Sequence, residues 1–588
     1  MHPNQFYKAN VAHFTTALSK LKKQLFILSL VRFTVFVMTF YGAYLLRDTT
    51  KYAVLLFVIG IAVFLFLVGK YTDKEAKTSK TRALKELNEL ELTVAAGDIS
   101  QLATGAEFVN PQHYYSYDID LFGEKSFFQF LNRTATQAGK EKLAALLTAN
   151  DTAAVVEKQE AIKELSKKGI WTQEFRAVAS LIGSEVSIAK STRWLESYKS
   201  FLPKYIKHLP KVFALGTILV ALAVYFDFLT RGFFYAWFAL GLVITGKHLK
   251  NINNLYHKVS KLKDTFVQNQ QLISLLENED FTSDLLQKKK SVISRDGKPA
   301  SAILKEFSSA LEAFDYRNNI IFAVFGNALF LWDLKQSYRI EQWLESYSSK
   351  VAQWFETIAF FDAEISLATY AFNHQSYVYP NLVTNNTCFN AEKLGHPLLP
   401  ETKRVDNDFN IDNKQFFIIT GANMAGKSTF LRTVSLAIIM ANTGLPVCAK
   451  NMDYKPIKLI TSMRTSDSLS DDESYFFSEL KRLKFIVDEV SKESYFIILD
   501  EILKGTNSTD KAEGSYKFVK RLLGTKATGI IATHDLSLCR LENEEKAIAN
   551  HYFDAEITND ELFFDYTFKK GICQNMNASF LLKKMDIV

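Results

Sequence analysis

Three short segments in the C-terminal half of the chain carry residues whose types and spacing suit phosphate chemistry. In "FIITGANMAGKSTFLRTV" (417–434), Gly421, four intervening residues, then Gly426, Lys427 and Ser428 fit G-x-x-x-x-G-K-[ST], the pattern of a phosphate-binding P-loop. Glycines there let backbone N–H groups converge on phosphate oxygens, and a following helix N-terminus adds partial positive charge. Lys427 is expected to reach the outer phosphates of ATP, and Ser428 to hold Mg²⁺. "YFIILDE" (495–501) is an apolar run ending in two carboxylates. Asp500 suits the Mg²⁺ shell, and Glu501 suits orienting or deprotonating the attacking water. "GIIATHD" (529–535) ends a further apolar run at His534, placed to sense a γ-phosphate.

Each of these residues needs an element to hold it. Phe416 to Ile419 reads as a buried strand and Ser428 to Ala441 as a helix, which is the context a P-loop requires. The runs ahead of Asp500 and His534 read as two more strands. At 588 residues the chain has room for roughly four domains. Aromatic residues make up 13% of it, with 48 Phe, a share that suits membrane contact. The formal charge of +7 is compatible with nucleic acid or anionic lipid and demands neither. Cys388, Cys448, Cys539 and Cys573 are widely spaced with no C-x-x-C pair, which fits a reducing compartment and gives no zinc signal.

Two pairs of apolar segments stand nearer the N-terminus. Leu25 to Leu46 is apolar except for Arg32, and Ala53 to Gly69 carries no charge. Val212 to Leu229 is apolar until Asp227, and Phe233 to Gly246 follows after a short turn. The first member of each pair is long enough for a bilayer span of about 20 residues, and the second is shorter. The pairs read as two transmembrane hairpins, about four spans in all. Lys20, Lys22 and Lys23 precede the first hairpin, and Lys70, Lys74, Lys77, Lys80 and Arg82 follow it. Lys204, Lys207 and Lys211 precede the second, and Lys247, Lys250, Lys258 and Lys261 follow it. Basic flanks favour the cytoplasm, so both turns are expected outside and the phosphate-binding part inside. A second span follows the first closely and no small-residue cleavage site stands between, so no cleavable signal is expected.

The remainder reads as helical. Residues 134–169 carry apolar residues at helical spacing with a break at "TANDT", and a longer series runs from Ser301 to Phe372 with a break near "YRNN". Such amphipathic stretches suggest levers or bundles. "SRDGKP" (294–299) is a turn-rich break.

"TGANMAGKSTFLRTVSLAIIMANTGLPVCA" (420–449) resembles the ATPase core of the MutS family of DNA mismatch-repair ATPases. The run from Asn423 to Arg432 is more specific than a bare P-loop, and adds Asn423, Met424 and Thr429 to the expected nucleotide-binding residues. "GHPLL" (395–399), "TSDSLSDDESYFFSEL" (465–480), "LDEILKGTNSTD" (499–510) and "ATHD" (532–535) resemble further family segments in the family's order. "SFFQFLNRTATQAGKEKLAALL" (126–147) resembles the start of the helical core, and "FFDAEISLATYA" (360–371) the returning lever helix. The resemblance covers roughly residues 108–588, apart from the second hairpin.

It implies that Ser474 reaches the nucleotide of a neighbouring subunit, that Asp500 is the magnesium carboxylate and that Glu501 is the catalytic base, and it makes the catalytic, γ-phosphate-sensing part of His534 the expected one. The trans arrangement implies a homodimer. Asp472 and Glu473 stand where the family favours Gly and Arg. Residues 1–107 hold a hairpin and a linker in place of the mismatch-reading and connector domains, and no appended C-terminal nuclease is expected. The fold class implied is an ABC-type, MutS-like α/β P-loop ATPase domain plus an all-α lever and core domain, preceded and interrupted by transmembrane hairpins. The expected divisions are a cytoplasmic segment (1–24), hairpin (25–69), linker (70–107), core and lever (108–209), second hairpin (210–247), returning lever and core (248–380) and ATPase domain (381–588). Two function classes follow: a membrane-anchored clamp that embraces DNA, and a mechanoenzyme in which ATP-driven dimerisation moves lever and transmembrane helices without DNA.

Overall fold

A computed structural model describes residues 2–181, 194–195, 197–294, 297–422, 424–464, 475–504, 506–558 and 561–574. Its N-terminal part is two long helices, α1 (Pro3–Leu45) and α2 (Thr50–Ala95), of 43 and 46 residues. Pro3 occupies the first helical turn, where a missing N–H costs nothing. The two helices pack antiparallel, and at Gly60 the chains lie so close that a Cβ would stand 2.2 Å from the Thr39 hydroxyl. Their apolar faces point outward, with Phe26 72% and Phe66 64% exposed. Residues 70–95, expected as linker, continue α2 instead. No glycine or proline interrupts that stretch, and the chain first turns at Gly97, whose φ is 97°.

The polar ends of this pair dock on the helical core. Phe6 packs edge-on against Phe372 at 5.3 Å, and the Tyr7 hydroxyl donates to Asn373 Oδ1 at 2.7 Å. Asn88 accepts from the side-chain amide of Gln173 at 2.9 Å. Deeper in, Glu91 Oε1 accepts from Arg133 Nε at 2.9 Å and Arg176 Nη1 at 3.0 Å, while Oε2 accepts from Asn373 at 3.1 Å. Burial alone would raise the Glu91 pKa, but the two guanidinium groups hold it below the usual carboxylate range.

The second apolar pair forms α3 (Leu209–Tyr225) and α4 (Arg231–Gly246). Expected to run to Leu229, α3 stops earlier because Asp227 takes a left-handed φ of 60° and the N–H groups of Phe228 and Leu229 return to the Ala223 carbonyl. At 17 and 16 residues both helices are shorter than the roughly 20 of a full span. A third apolar helix, α5 (Ile320–Phe330), packs beside them. The Thr217 hydroxyl donates to the Leu329 carbonyl at 2.8 Å and accepts from Trp237 Nε1 at 2.9 Å, and Phe238 meets Phe325 at 5.6 Å. Gly241 permits the approach, since a Cβ there would lie 2.3 Å from the Ala328 carbonyl oxygen. Ile320, Ile321 and Phe325 remain exposed.

From α5 the chain turns into α6 (Trp332–Asn373), 42 residues and about 63 Å long at 1.5 Å per residue. Its second half is buried almost continuously. Asp362 accepts from the N–H groups of Ala135 and Thr136, and Gly139 is required beside it because a Cβ would overlap the carboxylate. Glu364 is fully buried and its Oε2 has no hydrogen-bond partner; burial pushes its pKa up to about 8, against the pull of Lys158, Lys142 and Lys289. A pKa raised on folding gives stability that is complete below the unfolded value and is lost as pH rises through the folded one. Glu364→Gln is therefore expected to flatten the fall in unfolding temperature between about pH 4.5 and about pH 8, leaving the variant a few degrees above wild type at the alkaline end. Parallel slopes for the two proteins in thermal melts would contradict this.

Beyond α6 the chain is mixed α/β. A six-stranded sheet contains β1 (Phe416–Gly421), β2 (Lys458–Ser462), β3 (Tyr495–Asp500), β4 (Thr528–Ala532), β5 (Ile548–Phe553) and β6 (Lys569–Lys570), in the order β6-β5-β1-β4-β3-β2. All neighbours are parallel except β6 and β5. Side chains alternate across a strand. Phe417 and Ile419 accordingly join the core that includes α7 (Lys427–Asn442). Phe416 and Ile418 join the one under α8 (Tyr475–Val490) and α9 (Ser508–Leu523). A four-stranded sheet of residues 381–382, 387–394, 407–412 and 451–454 lies alongside. The α/β part and the largely helical remainder agree with the expected MutS-like architecture at that level.

Candidate active site

The carboxyl ends of β1, β3 and β4 are adjacent, so side chains from three distant segments converge there. β1 pairs with β4, and β4 with β3, in a register that sets Asp500 beside Ala532. The loop from β1 into α7 depends on two glycines. Gly421 has φ 152°, and a Cβ would lie 2.6 Å from the Phe553 carbonyl oxygen; Gly426 has φ 103° and lies under the Tyr566 ring. Met424, at φ 68°, is the exposed crest of the loop.

Lys427 is buried at the loop's base, and its ammonium donates to the carbonyls of Gly421 at 2.7 Å and Ala422 at 2.9 Å. Burial lowers its pKa, opposed by Asp500 and Glu501. The Ser428 hydroxyl donates to Asp500 Oδ2 at 2.8 Å, so the two oxygens expected to hold a metal ion are already neighbours. That donor pair suits Mg²⁺, which takes one or two protein oxygens and completes its octahedron with phosphates and water.

Glu501 follows Asp500 with a left-handed φ of 51°, its N–H donating to the Ala532 carbonyl at 2.9 Å. Its carboxylate meets His534 Nε2 at 3.0 Å and Lys504 Nζ at 3.9 Å. The hydrogen bond with His534 is the main reason its pKa is held down at about 2, so it stands ionised. Met424, Gly426, Lys427, Ser428, Asp500, Glu501, Lys504 and His534, with Thr429, line a cavity of about 640 Å³, within the usual range for a small-molecule site. His396, Leu399, Arg404, Val405 and Tyr566 close its other side.

Of the residues expected from the sequence, Gly421, Met424, Gly426, Lys427, Ser428, Thr429, Asp500, Glu501 and His534 share this locality. Asn423 and Ser474 lie outside the described residues. Lys504 is an addition, legible only as a cation three residues after Glu501. Tyr566 had no sequence signal, because a loop far from the motifs delivers it, and Arg404 lies just past the "GHPLL" segment, whose His396 and Leu399 also reach the cavity. A second cleft of about 980 Å³ adjoins the first, lined by Tyr7, Glu91, Asp98, Asn373 and Glu401 among others. Leu399 and Arg404 border both, so a single loop separates the candidate active site from the foot of the α1–α2 pair.

Residues 417–583 match the family model for MutS domain V. The chain is 30% identical to MutS protein homolog 4 of Homo sapiens over 234 residues, which is 38% of this chain and 24% of that protein. It is 29% identical over 248 residues to the DNA mismatch repair protein MutS of Clostridium botulinum (strain Okra / Type B1), covering 40% of this chain and 26% of the relative. The corresponding protein of Methanococcoides burtonii is 32% identical over 232 residues, 38% of this chain and 26% of the relative. The chain thus spans about a quarter of the length of the curated relatives it matches.

Proposed function

We propose that this chain, a member of the MutS family, is a membrane-anchored ATPase whose nucleotide cycle is passed to its apolar helices. The observation that carries the reading is the convergence of Lys427, the Ser428–Asp500 pair and the Glu501–His534 pair on one cavity. ATP would lie along the 421–428 loop, its phosphates facing backbone N–H groups and the Lys427 ammonium. Ser428 and Asp500 would hold Mg²⁺, which when bound neutralises charge on the phosphates. Glu501, ionised and oriented by His534, would take the proton of the attacking water. Dimerisation, with Ser474 reaching the partner's nucleotide, is part of the proposal and rests on the family resemblance.

Anchoring is supported by α1 and α2, which are long and apolar enough to cross a bilayer and whose apolar windows are almost entirely unburied, unlike core helices. Arg32 lies 4.6 Å over the Tyr71 ring, and Arg47 5.1 Å over Tyr44, cation–aromatic pairs suited to the two interfaces. The shorter unit of α3, α4 and α5 would contact the same membrane. Alkaline carbonate washing of membranes from expressing cells should leave the protein in the pellet; release into the supernatant would contradict anchoring.

Two cargoes remain. The names of the relatives favour DNA, held in a dimeric clamp. A mechanoenzyme without DNA is favoured by α6, which joins the exposed apolar unit directly to the nucleotide-binding part. Detergent-solubilised protein should be titrated with homoduplex, mismatched and branched DNA, with and without ATP, across a salt series. Binding that weakens steeply with salt and responds to ATP supports the clamp. Absence of binding at low salt, with ATPase activity intact, leaves the mechanoenzyme.

A further inference from the structure

We infer that Glu479 is a positioning residue that sets the placement of Glu501, and so couples helix α8 to the hydrolytic step. The inference rests on the ATPase reading above. The turn after β3 is strained: Glu501 and Leu503 both take left-handed backbone, at φ 51° and 58°, without being glycine. Such conformations persist only where surrounding contacts over-determine them. On one side the Glu501 N–H is tied to the Ala532 carbonyl of β4. On the other, Ile502 and Leu503 are buried in the core, Leu503 against Gly514 of α9, and the backbone N–H groups of the turn are held by the side chain of Glu479. Glu479 is 4% exposed, and its carboxylate accepts from the backbone N–H of Leu503 through Oε1 and from that of Lys504 through Oε2, the latter at 3.0 Å. Carboxylate-to-amide bonds of this kind are about twice as strong as neutral ones.

The strained turn therefore hangs between a strand of the sheet and the second turn of α8. That helix begins at Tyr475, one residue after Ser474, the residue expected to meet a neighbouring subunit. A shift of α8 relative to β3 must either break the Glu479 bonds or carry Leu503 and Lys504 with it. In the second case Glu501 moves relative to His534, and Lys504 relative to Glu501. Contact between subunits and readiness for hydrolysis are then linked through the Glu479 carboxylate, which does not line the cavity itself.

The test uses full-length protein in detergent, with Glu479→Ala, Glu479→Gln and Lys427→Ala measured alongside wild type for kcat, KM, binding of a fluorescent ATP analogue and thermal unfolding. Glu479→Ala is expected to lower kcat on the order of 100-fold, the cost of a small misplacement of a reacting group, with analogue affinity and unfolding temperature near wild type. Glu479→Gln keeps one accepting oxygen and should recover part of the loss. An unchanged kcat in Glu479→Ala overturns the inference. So does a loss of kcat that runs in parallel with lost binding and lost thermal stability in both variants, since that marks a purely structural tie. Wild-type turnover no faster than Lys427→Ala would instead sink the ATPase reading, and this inference with it.

Discussion

Glu501→Gln is expected to slow ATP turnover by about 10²- to 10⁴-fold, the usual worth of a positioned general base, while ATP still binds. The amide keeps the size and shape of the carboxylate. It can still contact His534, now 3.0 Å from Oε1, but it cannot accept a proton from water. Binding should survive because the groups proposed to face the phosphates, Lys427 and the loop before it, are untouched. Lys427→Ala provides the contrast. It removes a buried ammonium from the loop floor, and both binding and turnover should fall. Equilibrium binding and steady-state hydrolysis on the same preparations distinguish the two patterns. A Glu501→Gln protein that turns over at the wild-type rate would remove Glu501 from the chemistry.

The second large effect is structural. Glu91→Ala is expected to cost about 3–5 kcal/mol, because it leaves Arg133 and Arg176 charged, buried and without their common partner. The damage should be local to the foot of α1 and α2, where Glu91 also holds Asn373 at the end of α6. Hydrogen exchange should therefore rise in the polar ends of those helices before the α/β part is affected. Replacing Glu91, Arg133 and Arg176 together by apolar residues of similar size should recover much of the loss, since no unpaired charge then remains. A single Glu91→Ala variant as stable as wild type would show that the cluster does not hold the hairpin in place.

The sequence was most legible where chemistry is local. Gly421, Gly426, Lys427 and Ser428 lie within eight residues, and their pattern has one physical meaning. Asp500, Glu501 and His534 each end a short apolar strand, and parallel strands deliver their carboxyl ends to one edge. Glu479 and Lys504 were harder, because their roles depend on a turn whose backbone geometry no pattern announces. The same holds for Glu91: a glutamate in a charged amphipathic stretch reads as solvated, and only the packing of α2 against residues 133 and 176 buries it. Residues 70–107 read as a linker, yet 70–95 lack the glycine or proline that would end a helix. α5 was absorbed into the lever periodicity because 11 apolar residues are too few to stand out as a span.

In the proposed function, nucleotide and membrane helices form one mechanical unit. The cleft between Asp98, at the foot of α2, and Glu401, on the loop shared with the candidate active site, is where such coupling would change a distance. Among the described residues the native cysteines are buried, so spin labels can be directed to cysteines introduced at these two positions. The measurement is the distance between them in Glu501→Gln protein reconstituted in lipid, without nucleotide, with ADP and with ATP. Coupling is expected to give a distribution that shifts with ATP and returns with ADP. Identical distributions in all three conditions, in protein shown to bind ATP, would contradict it.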